Sequence, residues 1–539
     1  MMPTPFRLGV AVADLVAGVA SVAGAQGDAR IRADSLVEAG NRAAHDSRHR
    51  EAIDAYERAI ALDSARRTAL LPRLGRQYLW SDAPRQAAGL FTEYLTVNPT
   101  SCETKLDLGL ALSWADDLDR ARSVYDDVAA ACLYERGQAR LGAARALRWA
   151  NKLSAAERRY HGVMADGSDS DREQAAIGLA YVYLARAEPR AALSLAVSLE
   201  RAGSRDPSMA EAKAMALADL GALGTAVGVA RAARADGRGS VSLDRLADGY
   251  RERARASISA GARGFRDRDG TEYRAADVAS AAAPLGFGAM RVAVRATELR
   301  KDAVILESRE AEASFDSRLA RWLAISARGG VRSYDANDFT PWEGELNAAL
   351  LPGDRHRFDV TAARLMLGDN MAAIQEELVG TFLSAGITER LTSNFSLAVS
   401  GDVTDWSTDN RRTRLRVTPR VSFESVPVVT LEWPTVYQWY DEPFQFLLFS
   451  PREYVETGPA LNIYRRVARV WWISGYGKAG ALREIGRDWQ ALGIVRASLE
   501  REIRSHWGIR FDAGWSNSNL AGSAGFQRTT VGASLTIRP

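Results

Sequence analysis

The sequence predicts a two-part protein: an all-α repeat solenoid followed by an antiparallel β-barrel that spans a membrane. Three observations carry this reading. Small and aromatic residues recur at steps of 34 to 36 through the first half of the chain. From about residue 251 onward, apolar residues alternate with polar ones at a period of two. The stretch ahead of the repeats reads as a secretory leader.

In the leader, Arg7 precedes the apolar run LGVAVADLVAGVASVAGA, which ends at Ala23-Gly24-Ala25 before Gln26. A basic start, an apolar run and small residues at the end predict removal of residues 1–25. A frayed or membrane-anchored N-terminus is the alternative. A cleaved chain enters an oxidising compartment. Past the leader, no stretch offers the roughly 18 consecutive apolar residues of a membrane helix. The 539 residues carry 70 Lys and Arg against 67 Asp and Glu, a net charge of +3, which lends no support to nucleic-acid binding. Two cysteines exclude a disulfide-dense scaffold.

The repeats come next. Ala52, Ala87, Ala121, Ala155, Ala191 and Ala226 follow one another at steps of 35, 34, 34, 36 and 35. Tyr56, Phe91 and Tyr125 keep the same step, as do Gly40, Gly75 and Gly109. The clearest copy is LGRQYLWSDAPRQAAGLFTEYLTVNP, Leu74 to Pro99. Such units pair two helices, with small residues where the helices cross and large ones between neighbours. This resembles the tetratricopeptide repeat, with about six units within residues 26–250, the later ones degenerate. The resemblance implies a curved surface for protein partners. Trp80, Trp114 and Trp149 recur near the end of each first helix, either as inter-repeat packing or as a ligand groove. Cys102 opens the first helix of the third unit and Cys132 closes its second. Antiparallel helices bring those ends together, which predicts a disulfide; two buried thiols are the alternative.

Residues 251–539 read as strands. Phe395, Leu397, Val399 and Val403 alternate with Ser396, Ser400 and Asp402; Trp507, Ile509, Phe511 and Trp515 alternate with His506, Arg510 and Asp512. At about 10 residues per strand plus turns, this length gives roughly 16 strands. PLGFGAM at 284–290 reads as strand. NRRTRLRVTPRVSFE, from Asn410 to Glu424, shows the pattern best: arginines fill one face and apolar residues the other. In a membrane barrel the apolar face meets lipid and the arginines meet a wet lumen. Trp471, Trp489, Trp507 and Trp515 sit where interface girdles lie.

The order of leader, repeats and barrel resembles the outer-membrane export porins of bacterial exopolysaccharide systems. The family resemblance implies an all-α tetratricopeptide-repeat solenoid in the periplasm followed by an antiparallel transmembrane β-barrel of about 16 strands. It implies outer-membrane lipid around the barrel, a polysaccharide passing through it, and periplasmic or inner-membrane secretion proteins docked on the repeats. Candidate lumen residues are Arg412, Arg414, Arg416, Arg420, Asp402, Arg510 and Asp512. Glu310, Glu312, Glu424, Glu500 and Asp359 are also expected in polar space, so a mixed ladder of charges stiffening the wall is the alternative to an anion path. A small-solute porin with a docking domain and a barrel-anchored scaffold remain the competing functions. No enzyme is expected: the five histidines form no metal-spacing or nucleophile motif, His45 and His49 read as a solvated pair, and no cofactor or metal is called for.

Overall fold

The computed structural model describes residues 28–284, 288–335, 339–443, 449–467, 470–503, 506–518 and 527–538. The expected leader, 1–25, lies outside them. The chain divides into two compact units, residues 1–178 and 179–539.

The first unit is helical. Its elements are α1 (28–45), α2 (His49–Leu62), α3 (Arg67–Trp80), α4 (Pro84–Val97), α5 (Cys102–Trp114), α6 (Leu118–Ala131), α7 (Arg136–Trp149), α8 (Leu153–Asp166) and the first part of α9 (Asp169–Ala185). The first helices α3, α5 and α7 end on a tryptophan, and the chain reverses two residues later through a left-handed residue: Asp82, Asp116 and Asn151, at φ 64°, 66° and 57°. Asp and Asn tolerate that conformation better than most residues. The recurring Gly and aromatic positions are one device. A Cβ on Gly75 would lie 2.6 Å from the ring of Phe91, and one on Gly109 would lie 2.7 Å from that of Tyr125. Only glycine lets the paired helices approach so closely. Ala52, Ala87 and Ala121 are fully buried in the same interfaces. Ion pairs tie the two helices within a repeat, Arg67 to Glu93 and Arg140 to Asp166, both at 2.7 Å, and one repeat to the next, Arg159 to Asp126 at 2.6 Å.

The second unit holds the end of α9 with α10 (Pro189–Arg201), α11 (Pro207–Asp219), α12 (Leu223–Ala235) and α13 (Val241–Ala254), then the barrel. Its helical core is small-sided, with Ala192, Ala212, Ala216 and Ala226 fully buried among Leu217 and Leu243. That is why the repeat period outlasts the aromatic positions.

The barrel strands are β1 (Ser257–Asp267), β2 (Glu272–Ala282), β3 (Ala289–Lys301), β4 (Val304–Ala320), β5 (Leu323–Tyr334), β6 (Trp342–Leu350), β7 (His356–Met366), β8 (Val379–Arg390), β9 (Phe395–Trp406), β10 (Arg411–Phe423), β11 (Val428–Glu432), β12 (Thr435–Tyr440), β13 (Glu453–Thr457), β14 (Ala460–Val467), β15 (Trp471–Glu484), β16 (Gln490–Ile503), β17 (Trp507–Ser516) and β18 (Arg528–Ile537). A short helix, α14 (Met371–Gln375), interrupts the turn between β7 and β8. All neighbours are antiparallel, and β1 pairs with β18 from Ile258↔Ile537 to Asp267↔Arg528, closing the sheet. β11 and β12 lie end to end along β10, and β13 and β14 along β15. The 18 segments therefore make 16 strands. The breaks fall at Trp433-Pro434 and Gly458-Pro459, where proline has no N–H for the ladder. The strand read at 284–290 begins only at Ala289; residues 285–287 lie outside the described residues.

The two barrel ends differ. At the end where β1 begins, turns are short: 321–322, 351–355, 391–394 and 424–427. At the other end they reach 367–378, 441–452 and 517–527. Helix α10 docks on the short-turn end. Asp354 accepts from the backbone N–H groups of Arg190 and Ala191, both at 3.0 Å, capping α10 from a barrel turn. The Arg190 guanidinium donates to the carbonyls of Gly353, at 2.8 Å, Leu351 and Arg321. Arg390 donates to the carbonyl of Arg186 at 2.9 Å, and Arg318 to that of Asp219 at 3.0 Å.

Candidate functional site: the barrel lumen

Alternation fixes which side chains line the interior. On β10, Leu415 points outward and is 44 % exposed, while Arg412, Arg414 and Arg416 point inward. The register carries the assignment round the wall. Arg412, Arg414 and Arg416 oppose Thr404, Asp402 and Ser400 on one side, and Tyr440, Gln438 and Val436 on the other. The outer face is apolar and open to the surroundings: Val292, Val294, Val360, Leu383, Ile473, Val495 and Phe511 are all exposed. Trp471 and Trp507 ring its short-turn end, and Trp489 and Trp515 the long-turn end. Among the described residues no helix is long and apolar enough to cross a membrane. Strands with an apolar exterior, a polar interior and aromatic girdles are what a hydrocarbon layer requires, because closure leaves no unpaired backbone in lipid.

The interior charges mostly neutralise one another. Asp402 takes both Arg412, at 3.1 Å, and Arg414, at 2.8 Å. Glu310 takes Arg295 at 2.9 Å and Arg332 at 2.8 Å. Lys478 and Glu456 meet at 2.7 Å, each side chain only 3 % exposed. Arg420 binds Glu432 at 2.6 Å, and Arg510 binds Asp512, which also accepts from Ser498. The mixed ladder therefore describes most of the wall. Arg263, Arg416 and Arg496 are the inward arginines with no ion-pair or hydrogen-bond partner among the described residues, so the row on β10 offers a smaller uncompensated charge than its sequence suggests. Glu424 leaves the lumen, lying in a short-end turn 3.9 Å from Arg186.

Two cavities mark the ends of the interior. One of about 480 Å³ lies between α13 and strands β16–β18 at the short-turn end, lined by Glu252, Arg253, Glu500, Glu502, Arg510 and Arg538. Another of about 480 Å³ lies toward the long-turn end, among Arg263, Arg295, Arg332, Glu343, Asp369 and Asp512. Asp369 belongs to the turn 367–378, which folds back inside the barrel. No sequence signal marked that turn as functional. Its one clue is a short apolar run, Met371 to Ile374, set between the polar residues Asp369-Asn370 and Gln375-Glu376-Glu377.

The other predicted residues lie in the first unit. Cys102, at the start of α5, and Cys132, capping α6, are joined as a disulfide with a Cα separation of 6.2 Å. The Trp80 and Trp114 rings meet edge to face at 5.4 Å, and Arg148 lies over Trp149. His49 bonds Gln77 of the next unit at 2.9 Å rather than pairing with His45.

These features define a class: a transmembrane β-barrel of outer-membrane type preceded by tetratricopeptide-type repeats. No protein-family profile and no curated protein matches the chain. Solved structures do. A bacterial polysaccharide outer membrane secretin aligns over 53 % of this chain and 99 % of its own, at 14 % identity and a TM-score of 0.44. OpdO of Pseudomonas aeruginosa aligns over 52 % and 96 %, at 10 % identity and 0.31. A tetratricopeptide repeat protein of Parabacteroides merdae aligns over 40 % and 84 %, at 14 % identity and 0.32.

Proposed function

We propose that the protein is an outer-membrane channel that exports a hydrated polysaccharide, with its repeats in the periplasm recruiting the synthesis or modification machinery. The observation that carries this reading is the wall itself. Its lumen face is charged and hydroxylated on nearly every strand, and those charges are largely paired. A hydrated sugar chain slides past such a surface through many weak contacts and finds no deep trap. The turns support placing the helices on the periplasmic side. Outer-membrane barrels keep short turns on the periplasmic side and long loops outside, and α10–α13 share the short-turn end. A role in passage rather than catalysis fits the absence of a nucleophile or metal motif in the sequence.

A second reading, a small-solute porin, is favoured by the turn 367–378 inside the lumen, which narrows the path. Liposomes carrying the refolded protein separate the two. Release of trapped oligosaccharides well above disaccharide size supports export, and release limited to monosaccharides and ions supports the small-solute porin.

A further inference from the structure

We infer that the turn 367–378 is the constriction of this channel and that the Asp369–Arg528 ion pair holds it in place. This rests on the channel reading above and names the part that sets what passes. The turn does not project away from the barrel. Ala373, Ile374 and Leu378 are all fully buried, although a turn at a barrel rim is normally wet. Ile374 packs with Leu299 of β3, Leu306 of β4 and Tyr334 of β5. Ala373 and Leu378 pack with Trp406 of β9 and Tyr440 of β12. Those strands flank the turn on both sides, and their contact residues face inward by register. Both sets of contacts are met only from inside the lumen.

Polar contacts tie the turn down. Asn370 accepts from the backbone N–H of Ala373 at 3.1 Å, which starts α14. Asp369 reaches Arg528 of β18 at 2.6 Å. β18 adjoins β1 at the closure, seven strands from β7 one way round and eight from β8 the other, so this pair crosses the barrel interior. Arg528 is already oriented for the task. Asp267, its cross-strand partner on β1, accepts from Nε and Nη2, both at 2.8 Å, and leaves Nη1 for Asp369. The guanidinium also lies over Phe265 at 3.6 Å. Gly368 gives the turn its close approach to the wall, because a Cβ there would run into the Arg332 guanidinium.

The apolar hold comes from Ala373, Ile374 and Leu378, with Leu367 and Met371 packed beside them, and the ionic hold is a single carboxylate. Losing that carboxylate leaves Arg528 satisfied by Asp267, so the wall keeps its structure while the turn loses its anchor. The 367–378 segment therefore works as a removable restriction: latched, it limits passage to small hydrated species, and released, it opens the path to a polymer.

Two variants of the full chain test this in planar bilayers. In one, 368–377 is replaced by a short Gly-Ser turn between β7 and β8. The other is Asp369→Ala, with Asp369→Glu as the conservative rescue. Folding of each is read from the shift between unheated and heated samples on gels. The expected result is a severalfold larger single-channel conductance for the turn replacement, an intermediate rise or frequent large openings for Asp369→Ala, and parental behaviour for Asp369→Glu. Folded variants that conduct like the parent overturn the inference and leave the channel reading standing. Absence of conductance from parent and both variants overturns both.

Discussion

Removing the Asp354 carboxylate tests how the repeats are fixed to the barrel. Asp354 is 11 % exposed at its side chain and accepts from two N-terminal amides of α10 and from the Arg190 guanidinium. A helix-capping acceptor is worth about 1 kcal/mol, and a charged one at the positive end of the helix dipole adds about 0.5 kcal/mol. Loss of the ionic partner of a mostly buried guanidinium costs about 1–2 kcal/mol more. The Asp354→Ala variant should therefore ease local opening of α10 from the rim by about 3 kcal/mol, roughly a hundredfold in the opening equilibrium. Asp354→Asn keeps an acceptor and should lose about half of that. Hydrogen exchange read by mass spectrometry on the full chain reports it directly, since the Arg190 and Ala191 amides are the donors. Peptides spanning 189–193 should exchange about two decades faster while those of β6 and β7 stay unchanged. Unaltered exchange at 189–193 would refute the docking argument, and faster exchange throughout β6 and β7 would show that Asp354 serves the barrel instead.

Other predictions follow from single contacts. Arg416→Glu, which breaks no ion pair, should insert normally and shift permeability toward cations in reversal-potential measurements; failure to insert contradicts its place in the lumen. Reversing Arg412 and Arg414 together should instead impair folding, because Asp402 would face like charges at a mostly buried site. Gly75→Ala should destabilise the solenoid by about 1–3 kcal/mol through overpacking against Phe91, seen as a lower thermal midpoint in circular dichroism. The Tyr78 phenol donates to Glu57 at 2.5 Å, and that bond, with some burial, pushes its pKa up to about 12. Its contribution is complete below the ordinary tyrosine range near 10 and is lost as pH rises through about 12. In ultraviolet titration, one of the late phenols should move down in Glu57→Gln.

The parts most legible in the sequence were those where one solvent boundary repeats. β10 has water on one side and an apolar surround on the other, so every second residue declares its face. The Gly75–Phe91 pair recurs because each helix crossing poses the same steric problem. The two strand breaks were masked because the alternation continues across Trp433-Pro434 and Gly458-Pro459, although proline interrupts the ladder at both. The charge of the lumen was only half legible. A row of arginines is visible along one strand, but Asp402 neutralises two of them from β9, and that pairing is set by register. The turn 367–378 was illegible for a similar reason: the apolar surface that receives Ile374 comes from β3, β4 and β5, up to 75 residues away in the chain, from Leu299 to Ile374.

The claim that this barrel is a polymer channel is tested most directly by single-channel recording of the refolded full chain in a planar bilayer, with polysaccharides of anionic, cationic and neutral type added in turn. The account predicts discrete conductance steps that one polymer class blocks for times that lengthen with chain length. Steps indifferent to every polymer would contradict export, and a folded, heat-modifiable barrel that stays silent even after the 367–378 turn is replaced would contradict the channel itself.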